Sequence, residues 1–565
     1  MTHSENPIPQ SANENRTLPA PDPTLITAAA AAALLAACGG GGGGGGSSSG
    51  GSDTSAKPTA AQASRFLGQA ALCTSDDDLR LLQLMGYESW LNQSFSTPPA
   101  GSSWDWLVSQ GYETDTYRYS SSPSDFAIWR NLITAPDQLR QRVALALSEY
   151  FVVSATGLSS QWPQFAMAAY WDVLCTNAFG NFRQLLEAVT LNAAMGQYLN
   201  TKGNQKENVA TGRAPDENYA REVMQLFTIG LLELNSDGTV KTDGSGKPLE
   251  TYDQGTITNL ARVFTGWDLD TSTSSSTSTL TYRLPMHFIA ARHSTLAAQF
   301  LGTTIPAGTD GVAALKTALD TLFNHPNVGP FFGRQMIQRL VTSNPSPAYV
   351  ARVAAAFNND GSGTRGNMQA VIRAVLLDAE ARSDAALTQQ YSGKLREPML
   401  RFIQWARTFG ASSAAGTWKI YDLSDPATRL GQSPLRSPSV FNYFRPGYTP
   451  PNTAIAAAGL TAPEFQLTNE STIAGYLNFM QSVIASGVAD VTTTYPNEQA
   501  LAADPVALVN RLNLMLAANQ LSAANLASIA AAVASISAAT AAGVTNRIRA
   551  AVMLVMACPE YLVLK

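Results

Sequence analysis

The stretch that decides the fold runs Pro215-Asp216-Glu217-Asn218-Tyr219-Ala220-Arg221-Glu222-Val223-Met224-Gln225-Leu226-Phe227. Proline and acids at its head suit the first turn of a helix, where the leading N–H groups lack partners and the macrodipole favours negative charge. At about 3.6 residues per turn, Tyr219, Val223 and Leu226 fall on one stripe, while Asn218, Glu222 and Gln225 fall on another. Met224 and Phe227 widen the apolar surface, so the segment predicts a helix over 216–232. The same spacing recurs upstream in 63–71, 76–85, 86–93, 136–153, 164–177 and 181–199. Downstream it returns in 256–264, 311–324, 328–342, 347–358, 367–377, 394–409, 471–484, 504–517, 522–534 and 545–556, with Gly, Pro and Ser breaks between. Asp137 and Asn181 stand where N-caps are expected. Strand-like alternation is scarce. The fold class is therefore mainly α: a large multi-helix domain with long structured loops and at most a small β-hairpin. The hairpin is placed at 234–252 by the turn residues Ser236-Asp237-Gly238 and Asp243-Gly244.

The chain has 565 residues with 37 basic and 42 acidic side chains, a net charge of -5, and 45% apolar residues. That much apolar surface excludes charge-driven disorder over most of the length. The scattered basic residues leave no footprint for nucleic acid. Residues 24–37 form a short apolar run ending Leu35-Ala36-Ala37-Cys38, the pattern of a bacterial lipobox. Residues 1–37 then read as a signal peptide, and Cys38 as the lipidated residue that partners a membrane. The competing reading is an Ala-rich helix in a tail. Gly39–Gly46 is an unbroken glycine run followed by Ser47-Ser48-Ser49-Gly50-Gly51-Ser52, so 38–60 reads as a flexible tether. The expected address is the bacterial cell envelope. Residues 61–565 form the helical domain, with a division into two subdomains placed near 385–460. Cys73, Cys175 and Cys558 permit at most one disulfide.

Chemistry-bearing groups are few. Glu222 and Glu217 are the candidate acid/base carboxylates, with Arg221, Asn218 and Gln225 as neighbouring binding residues. Glu217 and Arg221 are also spaced as an i, i+4 ion pair, which makes a helix-start pair beside a buried polar network the plainer account. Arg339 shares a helix face with Gln335 and Thr342, where it suits a ligand or the last carbonyls of its own helix. Glu397 and Arg401 are again spaced i, i+4. The proline-rich, aromatic segment 430–448 contributes Arg436, Tyr443 and Arg445 as binding candidates, or straps the helices together. His287, His293 and His325 fit no metal-ligand spacing, so no metal and no cofactor is expected. His293-Ser294 is a weak cue for an unusual triad, and His325 suits a backbone-bonding turn.

Five ordered motifs then carry a resemblance: 137–144 (Asp-Gln-Leu-Arg-Gln-Arg-Val-Ala), 215–227, 261–267 (Ala-Arg-Val-Phe-Thr-Gly-Trp), 334–345 and 433–447. Together the chain resembles the bacterial domain of unknown function 1800 family over nearly the whole of 63–564. The resemblance implies an exported, mainly helical protein and a sulfatase-like exported partner. It supplies no catalytic residues. The lysine that the family commonly places before Phe-Leu-Gly is replaced here, where Ala298-Gln299 precedes Phe300-Leu301-Gly302. The expectation is an exported, lipid-anchored binding or accessory protein working with a secreted partner. The alternative is a cofactor-independent hydrolase acting on an extracellular polymer through carboxylate acid/base chemistry.

Overall fold

A computed structural model describes residues 57–565, so the segment read as a signal peptide, Cys38 and nearly all of the segment read as a tether lie outside the described residues. The described chain is mainly α, and strands occur there only as four short antiparallel pairs. Its centre is the helix Pro163–Asn177, in which Phe165, Met167, Tyr170, Trp171 and Leu174 are all inaccessible. A helix apolar on every face must be surrounded, and this one packs against Ser103–Ser109, Ser122–Thr134, Gln138–Tyr150 and Phe182–Thr190. Beside it Phe151, Phe182, Phe227, Phe332 and Phe357 interlock with ring centroids 4.8–6.0 Å apart. A second core forms around Trp129, Phe402 and Trp405, whose indole N–H donates to the Tyr495 hydroxyl at 3.0 Å.

Local chemistry explains where the helices stop and start. Asn181, Asp310, Asn367 and Asp504 each accept a backbone N–H at a helix head. Asp137 does not cap, contrary to the sequence expectation: its carboxylate takes the Ala100 N–H at 3.1 Å and the Gln141 side chain at 3.3 Å. The decisive helix is also shorter than its pattern, spanning Asn218–Gln225. The N–H groups of Leu226 and Phe227 both bond the Glu222 carbonyl, and Gly230 then takes φ 71 with the Phe331 ring against its Cα. A side chain at Gly230 meets both a disfavoured backbone and that ring, so glycine suits the turn that follows the helix. The expected hairpin at 234–252 is a ladder of isolated bridges, Leu232 to Glu250, Leu234 to Val240 and Thr242 to Pro248, with the turns held by Asp237 and Asp243.

Two strand pairs are long-range. Lys394–Leu395 pairs with Val563–Leu564, and Ser412–Ser413 with Val491–Thr492. Cys73, Cys175 and Cys558 are buried free thiols. Burial pushes Cys73 and Cys558 up to about 12 and Cys175 well above its ordinary value. Among the described residues no helix is long and apolar enough to cross a membrane.

Candidate functional site

The helix Gln138–Tyr150 is buried along nearly its whole length, and this carries Arg142 and Glu149 into the interior. There they meet Arg339 from the helix Val328–Leu340, Lys394 and Glu397 from the approach to Pro398–Thr408, and Glu464 from the turn Pro463–Leu467. Lys394 Nζ lies 2.9 Å from Glu464 Oε1 and 3.3 Å from Glu397 Oε1, and donates to the Arg339 carbonyl at 2.8 Å. Gln432 donates to the other Glu397 oxygen at 2.7 Å. Arg142 donates to the Arg339 carbonyl at 2.7 Å, and its Nε and Nη1 find no acceptor among the described residues. Arg339 donates to the Gln335 side chain at 2.9 Å and the Glu149 carbonyl at 3.0 Å, with its Nε 3.7 Å from Glu149 Oε2.

Three cations thus face three carboxyl groups in a dry interior, where an unpaired charge is costly. Burial, and then the negative charge of Glu397, hold the Glu149 carboxyl well above the usual range. Burial also opposes ionisation of Glu397, but Lys394, contact with Glu149 and Arg142 together bring it below its ordinary value. Burial and the neighbouring charges thus push the two carboxyl groups in opposite directions.

The segment 430–448 closes over this cluster. Arg436 forks onto the buried Asp125 with bonds of 2.9 and 2.6 Å, its own side chain 10% exposed. The Tyr443 hydroxyl donates to the Ser433 carbonyl and accepts the Ser433 N–H, each at 3.1 Å, which ties the loop to itself. Gln338 reaches the Pro446 carbonyl at 3.2 Å, and the Leu435 carbonyl accepts the Ala155 N–H at 3.0 Å. Beneath the segment lies a cavity of about 10 Å³, lined by Glu149, Ser433, Leu435, Ser437, Asn442 and Tyr443 among others. Leu435 and Asn442 on its wall both hold left-handed backbones, φ 54 and φ 62. For leucine that conformation is strained.

Of the candidates read from sequence, Tyr443 lines the cavity, Arg339 belongs to the ion cluster, and Arg436 ties the strap to Asp125 on the helix Ser122–Thr134. Arg445 is exposed, its guanidinium 4.7 Å from the Phe441 ring centroid. The helix Asn218–Gln225 contributes a separate group. Glu217 accepts from Thr258 at 2.7 Å and Gln254 at 2.8 Å, with Arg221 at 3.5 Å and partly exposed. Glu222 is buried with Oε2 unpartnered, and burial raises its carboxyl while Arg221 opposes the shift. Five residues apart on a helix, Glu217 and Glu222 point about 140° from one another. Asn218 and Gln225 are half-buried on that helix. His293 Nδ1 lies 2.9 Å from the Thr265 carbonyl, and Ser294 donates to Glu207 at 2.9 Å, so neither serves the other. His325 accepts the Asn327 N–H at 3.2 Å, the turn role its sequence suggests. No group of three or more His, Cys, Asp or Glu able to hold a metal occurs among the described residues.

Sequence reasoning missed Glu149, Arg142 and Glu464 and gave Glu397 the wrong partner. Glu397 pairs with Lys394, and Arg401 instead donates to the Arg396 carbonyl at 2.6 Å. The signal available was charge inside an apolar run, with Arg142 and Glu149 seven residues apart and so on one face. Fold and site define a large helical scaffold with a cluster of buried charges organised inside it, under a strap. Residues 65–563 match the family described as "Protein of unknown function (DUF1800)", and the chain belongs to that family. No curated protein and no solved structure matches it.

Proposed function

We propose that the chain is an exported, lipid-anchored binding protein that works beside a secreted partner. The observation that carries this reading is the distribution of its concave surface. An open groove of about 640 Å³ is lined by Glu88, Arg352, Asp360, Arg373 and Asp378 among others, and offers a partner charges of both signs. The two carboxylates read as acid and base diverge on their helix. The Cys38 lipobox and the glycine run after it support the anchor, and the family resemblance supports a sulfatase-like partner. The hydrolase reading keeps one supporting observation, the raised carboxyl of Glu222 with its Oε2 unpartnered.

Two measurements test the proposal. Labelled palmitate is expected in the wild-type chain and not in Cys38→Ala; equal labelling removes the anchor. A pull-down with the full chain against envelope and secreted fractions is expected to retain a partner in Glu222→Gln and lose it in Arg352→Glu/Arg373→Glu. Turnover of an extracellular polymer by wild type but not by Glu222→Gln transfers the case to the hydrolase.

A further inference from the structure

Buried carboxyl groups in the described chain are matched with cations. Asp125, Asp137, Glu149, Asp378, Glu397, Glu464 and Glu498 each have an arginine or lysine nitrogen within 3.7 Å. Glu222, only 7% exposed, has none that close among the described residues. Its neighbour Arg221 is turned to Glu217 at 3.5 Å and acts on Glu222 only at longer range. Water satisfies a carboxylate's hydrogen bonds but does not cancel its charge, so a buried carboxylate without a counter-ion is costly. Three further elements bring hydroxyls to this wall. Tyr252 stands two residues before Gln254, which accepts from Arg221 at 3.4 Å, and its own hydroxyl is enclosed without a partner. The Tyr198 ring lies where a Cβ on Gly157 would stand. The Ala155 N–H bonds the Leu435 carbonyl, which places Ser437 of the strap beside Tyr198, and Ser437 Oγ is also unpartnered. The charge of Glu222 is felt by both tyrosine hydroxyls.

We propose that Glu222, with the hydroxyls of Tyr252, Tyr198 and Ser437 beside it, forms a binding site for the primary ammonium group of an alkylamine. The ligand supplies the cation that the protein gives to its other buried carboxyl groups and withholds here. An ammonium carries three donors and no acceptor, which suits one carboxylate and a set of hydroxyl oxygens. An anion finds Arg221 already on Glu217. A divalent metal ion finds a single carboxylate, where such ions take several oxygen ligands. Burial raises the Glu222 carboxyl, the response of an acid that lacks a counter-ion in contact. Tyr198, Arg221 and Tyr252 are half-buried, so the site lies at the surface of the scaffold and not in its core. It shares no residue named here with the groove assigned to the partner, and goes beyond that reading. The same ammonium chemistry is offered by a free alkylamine and by a lysine side chain.

Calorimetric titration of the full chain with n-butylamine, putrescine and Nα-acetyllysine amide, beside n-butanol and butyrate at matched ionic strength, tests the assignment. At least one amine is expected to bind, and neither the alcohol nor the carboxylate. Binding of putrescine alone identifies a free amine as the source, and binding of the lysine amide alone a protein side chain. Glu222→Gln, which keeps the size of the side chain and removes its charge, should weaken binding at least roughly tenfold. Tyr252→Phe, which removes only the hydroxyl, should weaken it by roughly three- to tenfold. Binding of no amine, equal binding of n-butanol, or an affinity unchanged in Glu222→Gln overturns the site. Circular dichroism of each variant separates a lost site from a lost fold, and if Glu222→Gln does not fold, an unchanged affinity in Tyr252→Phe overturns the site instead.

Discussion

Replacing Lys394 by methionine is expected to lower the unfolding free energy by about 3–5 kcal/mol, the cost of removing one partner from a buried ion pair. The ammonium is wholly inaccessible and is shared by Glu397 and Glu464, so its loss strands two carboxyl groups in a dry interior. It also removes a donor from the Arg339 carbonyl, leaving Arg142 as the side chain that holds it. Methionine matches the length of the lysine stem, so the loss reports charge and not a cavity. Adding Glu464→Leu to the same chain should recover much of the deficit, because replacing both members of a buried pair by apolar groups is often neutral. Urea unfolding followed by circular dichroism of the two variants decides it. Equal midpoints for wild type and Lys394→Met mean that the cluster is hydrated and screened.

The second large effect is expected at the strap. Arg436→Ala leaves Asp125 buried without its fork, again a loss of about 3–5 kcal/mol near neutral pH. Burial already pushes Asp125 up to about 6 against the pull of Arg436. A folded-state value above the unfolded one means that the stabilising contribution is full below the unfolded value and is lost as pH rises through about 6. Without Arg436 the carboxyl moves higher still, and protonation becomes the cheap escape from an unpaired charge. The deficit of Arg436→Ala should therefore be largest at alkaline pH, shrink as pH falls from the variant's higher value towards about 6, and level off below that. Denaturant midpoints at about pH 8 and about pH 5 measure it. A deficit independent of pH shows that packing, and not the ion pair, anchors the strap. The same result bears on interaction studies: loss of a partner in Arg436→Ala reports a loosened strap as readily as a lost contact.

The helical class was legible because amphipathic spacing is a local property, and the stretch 215–227 shows it plainly. Its length was not: the helix ends at Gln225, where the Leu226 and Phe227 N–H groups share the Glu222 carbonyl, and no residue type in the pattern marks that point. Asp137 looked like a cap because capping residues and residues that bond a neighbouring loop share one chemistry; only the position of Ala100 separates them. The buried ion cluster was illegible for a related reason. Glu149, Arg339, Lys394 and Glu464 lie far apart in the chain, and each has an ordinary local role that the sequence offers first. Spacing does show which residues share a helix face. It does not show that Lys394 outcompetes Arg401 for Glu397, because that depends on where Glu464 and Gln432 arrive.

The three buried thiols carry a consequence of a different kind. A thiol reacts through its thiolate, and burial that raises Cys73 and Cys558 to about 12 leaves almost none at neutral pH. Oxidants and alkylating reagents reach these sulfurs when the surrounding helices part. The Cys73 sulfur sits against Gln138 at the head of the helix that carries Arg142 and Glu149, and Cys558 begins the turn before the strand that pairs with Lys394. Their modification rates therefore time the opening of two separate walls of the interior, so the unaltered chain contains its own kinetic probes of local unfolding.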